Sequence, residues 1–158
     1  MVTIPEHVIS SLRKGKIREA NHLLGFPYEI HGVVIIGNQI GRTLGFPTAN
    51  LQLSEETQLY IPNGVYAVVA RVHGVYYRGI TNIGVRPTLG LHQLSIEVNL
   101  FDFNQDIYGQ SIAVQFIEWL RNEMKFSDLD ALKNQIKKDK KIAEELLGLG
   151  NHPNSGTY

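Results

Sequence analysis

Apolar positions recur with helical spacing at both ends of the chain and with strand-like spacing between them. In Lys16 to Leu24, Ile17, Ala20, Leu23 and Leu24 fall on one helical face, and Gly25 is a natural residue to end the helix. Pro27 then breaks the pattern. From Tyr28 to about Ile117, β-branched and aromatic runs are separated by Gly, Asn and Pro, which predicts an antiparallel β domain. The strand candidates are Glu29 to Ile36, Val65 to Val72, Val75 to Ile83, Leu94 to Phe103 and Ile112 to Trp119. His73-Gly74 is a compact turn that folds the second and third of these into a hairpin. Five or six strands without intervening helices suggest a barrel or a sandwich.

Past the β region, Leu129, Leu132, Ile136, Ala143 and Leu147 return to helical spacing and stop at Gly148. Ser127 can cap this helix, with Asp130 at the capping-box position. A long amphipathic helix packed on the β domain is expected. Lys133, Lys137, Lys138, Lys140 and Lys141 fit its solvated face better than a phosphate site. The tail from Asn151 is polar and is expected to fray.

Composition narrows the class of protein but not its function. The 158 residues carry 15 Lys+Arg against 15 Asp+Glu, six His and no Cys. One domain fits this length, and a 43% apolar content supplies a core without staples. The lack of Cys removes disulfides, thiolate catalysis and the common zinc sites. Zero net charge argues against nucleic acid or an anionic membrane as the main partner. Apolar runs such as Val33 to Ile36 fall far short of the roughly 20 residues that span a bilayer, and Met1 to Arg18 lacks the apolar stretch of a signal peptide. A cytoplasmic location is expected.

Candidate chemistry concentrates in Gly37 to Asn50. Gly37, Gly41 and Gly45 let the backbone approach a ligand and aim N–H groups at an anion, and Arg42 adds a cationic fork for phosphate. The Gly37 to Gly41 spacing is one residue short of a Walker A loop, Arg stands in place of Lys, and a Pro-bounded loop follows rather than a helix. On local grounds a plain Gly-rich connection between strands is the favoured reading of the segment, because such turns are common in β proteins. Behind Pro47, Thr48 and Asn50 would share one side of an extended segment, where two neutral oxygens can reach one hard cation such as Mg²⁺. Such ligands are weak alone, so substrate phosphates and water would complete the shell.

In Leu94 to Leu100 the apolar residues alternate with Ser95, Glu97 and Asn99. A Glu on such a face is ordinarily just solvated. If the face lines a barrel mouth, Glu97 suits a general base for a hydroxyl nucleophile. The six His show no metal-ligand spacing, and Ser10-Ser11 lacks the context of a hydrolase nucleophile.

Several ordered blocks resemble riboflavin kinase over roughly residues 25 to 140. They are Leu44 to Asn50, Asn63-Gly64-Val65-Tyr66, Asn82 to Thr88, Glu97, Asp102-Phe103 through Asp106-Ile107-Tyr108-Gly109, and Leu120 to Phe126. The resemblance implies a mainly β fold, a six-stranded antiparallel Greek-key barrel with a long C-terminal helix and a short N-terminal one. It implies transfer of the ATP γ-phosphoryl group to the 5′-hydroxyl of riboflavin, giving FMN and ADP, with Mg²⁺. On this resemblance Gly37, Gly41, Arg42, Pro47, Thr48, Asn50 and Tyr108 would serve the nucleotide, and Thr48 and Asn50 the metal. Glu97 would accept the hydroxyl proton, and Arg121, Glu123 and Phe126 would belong to a loop over the isoalloxazine. The expected state is a monomer.

Two departures from the family pattern stand out. Bacterial members often carry His two residues after the glutamate, where this chain has Asn99, which cannot titrate. The start, Ile9-Ser10-Ser11 followed by Leu12-Arg13-Lys14-Gly15-Lys16-Ile17, resembles a shortened junction to the adenylyltransferase domain of bifunctional enzymes. The division expected is a helical lead-in over 1–24, a kinase domain over 25–148 and a tail over 149–158, without FAD-forming activity. A flavin-binding module that has lost catalysis is the runner-up. An oligonucleotide-binding barrel would want aromatics interleaved with a basic groove, and the aromatics here sit mostly in the kinase-like blocks.

Overall fold

The computed structural model describes residues 3–36 and 48–148. Six antiparallel strands, β1 (Tyr28–Ile35), β2 (Ala49–Leu53), β3 (Gly64–Val72), β4 (Val75–Thr88), β5 (Leu91–Leu100) and β6 (Ser111–Arg121), close into a barrel in the order β1-β2-β5-β4-β3-β6. β3, β4 and β5 follow one another as hairpins, and β6 returns beside β3, which is a Greek key. Among the described residues three helices complete the fold: α1 (Glu6–Arg13), α2 (Ile17–Leu24) and α3 (Leu129–Leu147).

Two tight turns set the register. His73 and Gly74 both have positive φ, as do Leu89 and Gly90, the pattern of two-residue hairpins whose twist matches the strands they join. The first pairs Val72 with Val75, and the second pairs Thr88 with Leu91. β4 and β5 run past the end of β3, whose first residue Gly64 pairs with Ile83. The ribbon beyond leaves Val85 and Leu94, a cross-strand pair, exposed.

Alternation along the strands separates two cores. Inside the barrel lie Ile30, Val34, Leu51, Tyr66, Val68, Ala70, Ile83, Ile96, Val98, Val114 and Phe116, all buried. Tyr66 meets Phe116 and Trp119 edge-on at 5.3 Å each, a favoured aromatic geometry. A Cβ on Gly64 would overlap the Trp119 ring, so only glycine lets the indole close this end. Outside, Val65, Ala67, Val69, Ile80 and Phe101 pack beneath Ala143 and Leu147 of α3.

Several sequence expectations are revised. The N-terminal stretch holds two helices, not one: Val8, Ile9 and Leu12 are buried on α1, and Gly15, at positive φ, turns the chain into α2. Val8, Leu12, Ile17 and Ala20 belong to the same buried cluster as the barrel interior. The segment after Pro47, read as a loop, forms β2 from Ala49. α3 is capped by Asp128, not Ser127: Asp128 is extended and accepts a hydrogen bond from the Ala131 N–H at 2.7 Å. A carboxylate caps as well as a hydroxyl, and starting one residue later leaves Asp130 outside the capping-box position. The lysines of α3 do lie on its outer side, with Lys137, Lys138 and Lys141 exposed. Lys140 instead stacks its ammonium 5.4 Å from the Phe101 ring centre.

The anchor between α3 and the barrel is ionic. Arg121, the last residue of β6, donates from Nε and Nη2 to Asp139 Oδ1 and Oδ2 at 2.9 and 2.8 Å. Gln135 Nε2 donates to the same Oδ1 at 3.0 Å. Asp139 is only 2% exposed, so this two-pronged pairing is what makes its burial tolerable. Removing one partner would strand a buried charge. Asp139→Ala should cost about 3–5 kcal/mol in urea unfolding, with the Arg121→Met, Asp139→Leu double variant recovering much of the loss.

Burial also acts on Tyr28. Removal of its hydroxyl from water raises its pKa from 10.0 to about 12, although the Tyr60 N–H that it accepts at 3.3 Å pulls the other way. Folding therefore favours the neutral phenol, and that stabilisation is complete below pH 10 and lost as pH rises from 10 towards 12. In guanidine titrations across that window, Tyr28→Phe should show a shallower fall in stability than the parent.

Candidate functional site

Directly opposed residues of an antiparallel pair share a face. Glu97 on β5 pairs with Asn50 on β2 and with Asn82 on β4. Asn82 pairs with Val65, and Val65 with Arg121. One outward row therefore crosses five strands as Asn50, Glu97, Asn82, Val65 and Arg121. α3 covers the Val65 and Arg121 end, and the Asn50, Glu97 and Asn82 end is polar. The polar face of β5 is thus the outside of the barrel and not a lining of its mouth, because Ile96 and Val98 turn inward.

Glu97 nevertheless lies in a cleft. Asn82, Gly84, Val85, Arg86, Ser95, Glu97 and Glu123 enclose about 230 Å³. The wall is supplied by the segment between β6 and α3: Glu123 lies across Gly84, where a Cβ would overlap its carboxylate. The missing side chain is what lets an acidic residue settle flat on the strand beside Glu97. Arg86 reaches back along β4, donating from Nη2 to Glu97 Oε1 at 2.7 Å and approaching Ser95 Oγ at 3.4 Å. Two carboxylates and one guanidinium thus share the cleft. Both members of the Arg86–Glu97 pair are partly exposed, so water screens the pair, and its contribution lies more in orientation than in stability. The buried Oδ1 of Asn82, opposite Glu97, has no hydrogen-bond partner among the described residues.

A second cleft of about 160 Å³ opens on the inward side of β5, beside β1 and β2. Val34, Ala49, Val98 and Leu100 form its floor, and Thr48, Phe103 and the segment from Asn104 to Tyr108 form its rim. Asp106 Oδ1 accepts from the Tyr108 N–H at 3.1 Å, and the Gly109 N–H donates to Val34 O at 2.8 Å, tying this rim to β1.

The residues singled out from the sequence are distributed as follows. Thr48 and Tyr108 share the inner cleft, Glu97 and Glu123 share the outer one, and Asn50 is buried between them beside Glu97. Arg121 is turned to Asp139, with its Cζ 6.0 Å from the Phe126 ring centre. Gly37, Gly41, Arg42 and Pro47 lie outside the described residues. Arg86, Asn82 and Gly84 were quoted in a motif but given no role. A sequence signal for them exists: once Leu89-Gly90 is taken as a two-residue turn, Asn82 falls opposite Glu97.

Among the described residues no three His, Cys, Asp or Glu side chains cluster to hold a metal ion. A divalent cation here would rest on neutral oxygens such as those of Thr48 and Asn50, completed by the oxygens of a bound phosphate. That donor set suits Mg²⁺ arriving with a nucleotide.

Comparison with known proteins assigns the chain to a family. The family model described as "Flavokinase: Riboflavin kinase" matches residues 24–147. The chain is 47% identical over 140 residues to a bifunctional riboflavin kinase/FMN adenylyltransferase of Bacillus subtilis, covering 87% of this chain and 44% of that protein. It is 44% identical over 111 residues to the RNA-binding riboflavin kinase RibR of the same organism, covering 70% of this chain and 47% of that one. Among solved structures, a protein of Streptococcus pneumoniae titled a macrolide-efflux protein superposes with a TM-score of 0.83 at 36% identity, over 90% of this chain and 47% of that chain. Riboflavin kinase from Trypanosoma brucei gives 0.57 at 25% identity, over 84% and 87%. The chain thus spans a little under half the length of the curated relatives it matches, and it belongs to the riboflavin kinase family.

Proposed function

We propose that this chain transfers the γ-phosphoryl group of ATP to the 5′-hydroxyl of riboflavin, giving FMN and ADP, with Glu97 as the general base. The observation that carries the reading is the register row that sets Glu97 beside Asn50 and Asn82 in a cleft closed by Glu123.

Phosphoryl transfer asks a protein mainly for in-line positioning and charge neutralisation. The ribityl oxygen forms a bond to the γ-phosphorus, the bond from that phosphorus to the β–γ bridging oxygen breaks, and the hydroxyl proton passes to Glu97. With Oε1 engaged by Arg86, Oε2 is the atom offered to the hydroxyl. The nucleotide phosphates approach from the β2 side, where Thr48 and Asn50 supply oxygens for Mg²⁺, which neutralises phosphate charge when bound. Tyr108 and the rim from Asn104 border the adenosine side, in the cleft that also holds Thr48. Pro47, Gly37, Gly41 and Arg42 complete the phosphate contacts on this reading. The segment holding Glu123 and Phe126 covers the flavin side, with Arg121 as its root. Zero net charge suits small phosphorylated ligands handled by a few local groups.

Incubation with riboflavin, ATP and Mg²⁺, with chromatographic separation of flavins, should yield FMN. A pure sample that binds FMN tightly but never makes it would favour a flavin-binding module instead. Glu97→Gln should lower kcat by about 10²- to 10⁴-fold, as expected for loss of a positioned general base, while ATP binding measured by calorimetry is retained. Unchanged turnover would remove Glu97 from that role.

A further inference from the structure

We propose that Arg86 is a positioning residue for Glu97, holding its carboxylate in the geometry that accepts the hydroxyl proton; the inference rests on the assignment of Glu97 as the base. Three observations converge on it. First, Nη2 of Arg86 lies 2.7 Å from Glu97 Oε1, while Ser95 Oγ at 3.4 Å steadies the same nitrogen. A guanidinium donates along fixed N–H directions, so this single contact ties Oε1 of the carboxylate and leaves Oε2 free. Second, the register places Arg86 opposite Gln93 and Asn82 opposite Glu97, so Arg86 must reach back along the ribbon over Gly84 and Ser95. The long side chain is thereby bound to Glu97 and Ser95 instead of extending into solvent. Third, Glu123 brings a second carboxylate into the cleft. Without Arg86 the side chains that line the cleft would carry two carboxylates and no cation of their own, and their repulsion would turn Glu97 away.

This role predicts a particular pattern of dependence. Arg86 acts through Glu97, so its removal should matter only when Glu97 is present. A phosphate-binding arginine would show its effect in the KM for ATP regardless of Glu97.

The test is a double-mutant cycle on the full chain, combining Arg86→Met and Arg86→Lys with Glu97→Gln. Steady-state and single-turnover rates keep the slow variants measurable, and thermal melting reports folding. Arg86→Met should reduce kcat about 10- to 100-fold, the scale of a misplaced catalytic group, with the KM for ATP little changed. Arg86→Lys, which keeps the charge and shortens the reach, should recover part of the loss and serves in place of Arg86→Met if that variant melts early. In the Glu97→Gln background either substitution should change kcat by less than about twofold, the limit within which independent effects are resolved. Equal losses in both backgrounds, a rise in the KM for ATP at constant kcat, or no effect of Arg86→Met would each overturn the proposal. Full turnover by Glu97→Gln alone would overturn the assignment of the base instead, a result visible before the cycle is built.

Discussion

The register of three consecutive strands is the constraint on which the rest of this molecule depends. Side chains alternate between faces with a period of two, so a slip of one residue in β4 against β5 would turn Glu97 into the barrel and Val98 out of it. Two turns of two residues each, with all four residues at positive φ, make that slip costly. Leu89 takes such a φ with a side chain that is almost fully exposed, so nothing in the core compensates it locally. The pairing of ten residues on each side of the turn outweighs that local strain.

Closure of the sheet then divides labour between its faces. The interior is apolar apart from a few groups such as the fully buried Thr81, and it is filled by aromatic and β-branched residues. A packed interior of this kind leaves no room for a ligand, so both clefts form at edges: one at the barrel's open end, the other where the segment after β6 crosses the outer face. β5 is the strand common to both. Neighbouring residues, Glu97 and Val98, thereby face different clefts.

Much of the architecture was legible in the sequence. Five of the six strands, the hairpin at His73-Gly74 and the two amphipathic helices were visible as periodicity, because each buries one face against the core. β2 was hidden because five residues following a proline carry too little alternation to register, and it is recognisable mainly by what it pairs with. α1 was hidden for a similar reason: eight residues with polar ones interleaved read as a charged lead-in until α2 and the barrel supply the surface that buries Val8 and Leu12. The chemistry divided along the same line. Glu97 stood out from alternation and resemblance, whereas Arg86 acquires its partner only once the turn at Leu89-Gly90 folds β4 back on β5. Asp139 was less accessible still, since an acidic residue amid lysines on a helix reads as solvated until Arg121 is found beneath it.

The Arg121–Asp139 pair also bears on the chain between β6 and α3. Arg121 roots the segment at one end, and the pairing holds the helix that begins at Leu129 against the same strand, so seven residues are tied at both ends. A tethered stretch of that length explores far fewer conformations than a free arm, and most of its ordering entropy is surrendered when the barrel folds. Little then remains to be lost when any ligand settles against it, so more of the contact energy of such an encounter is retained as affinity.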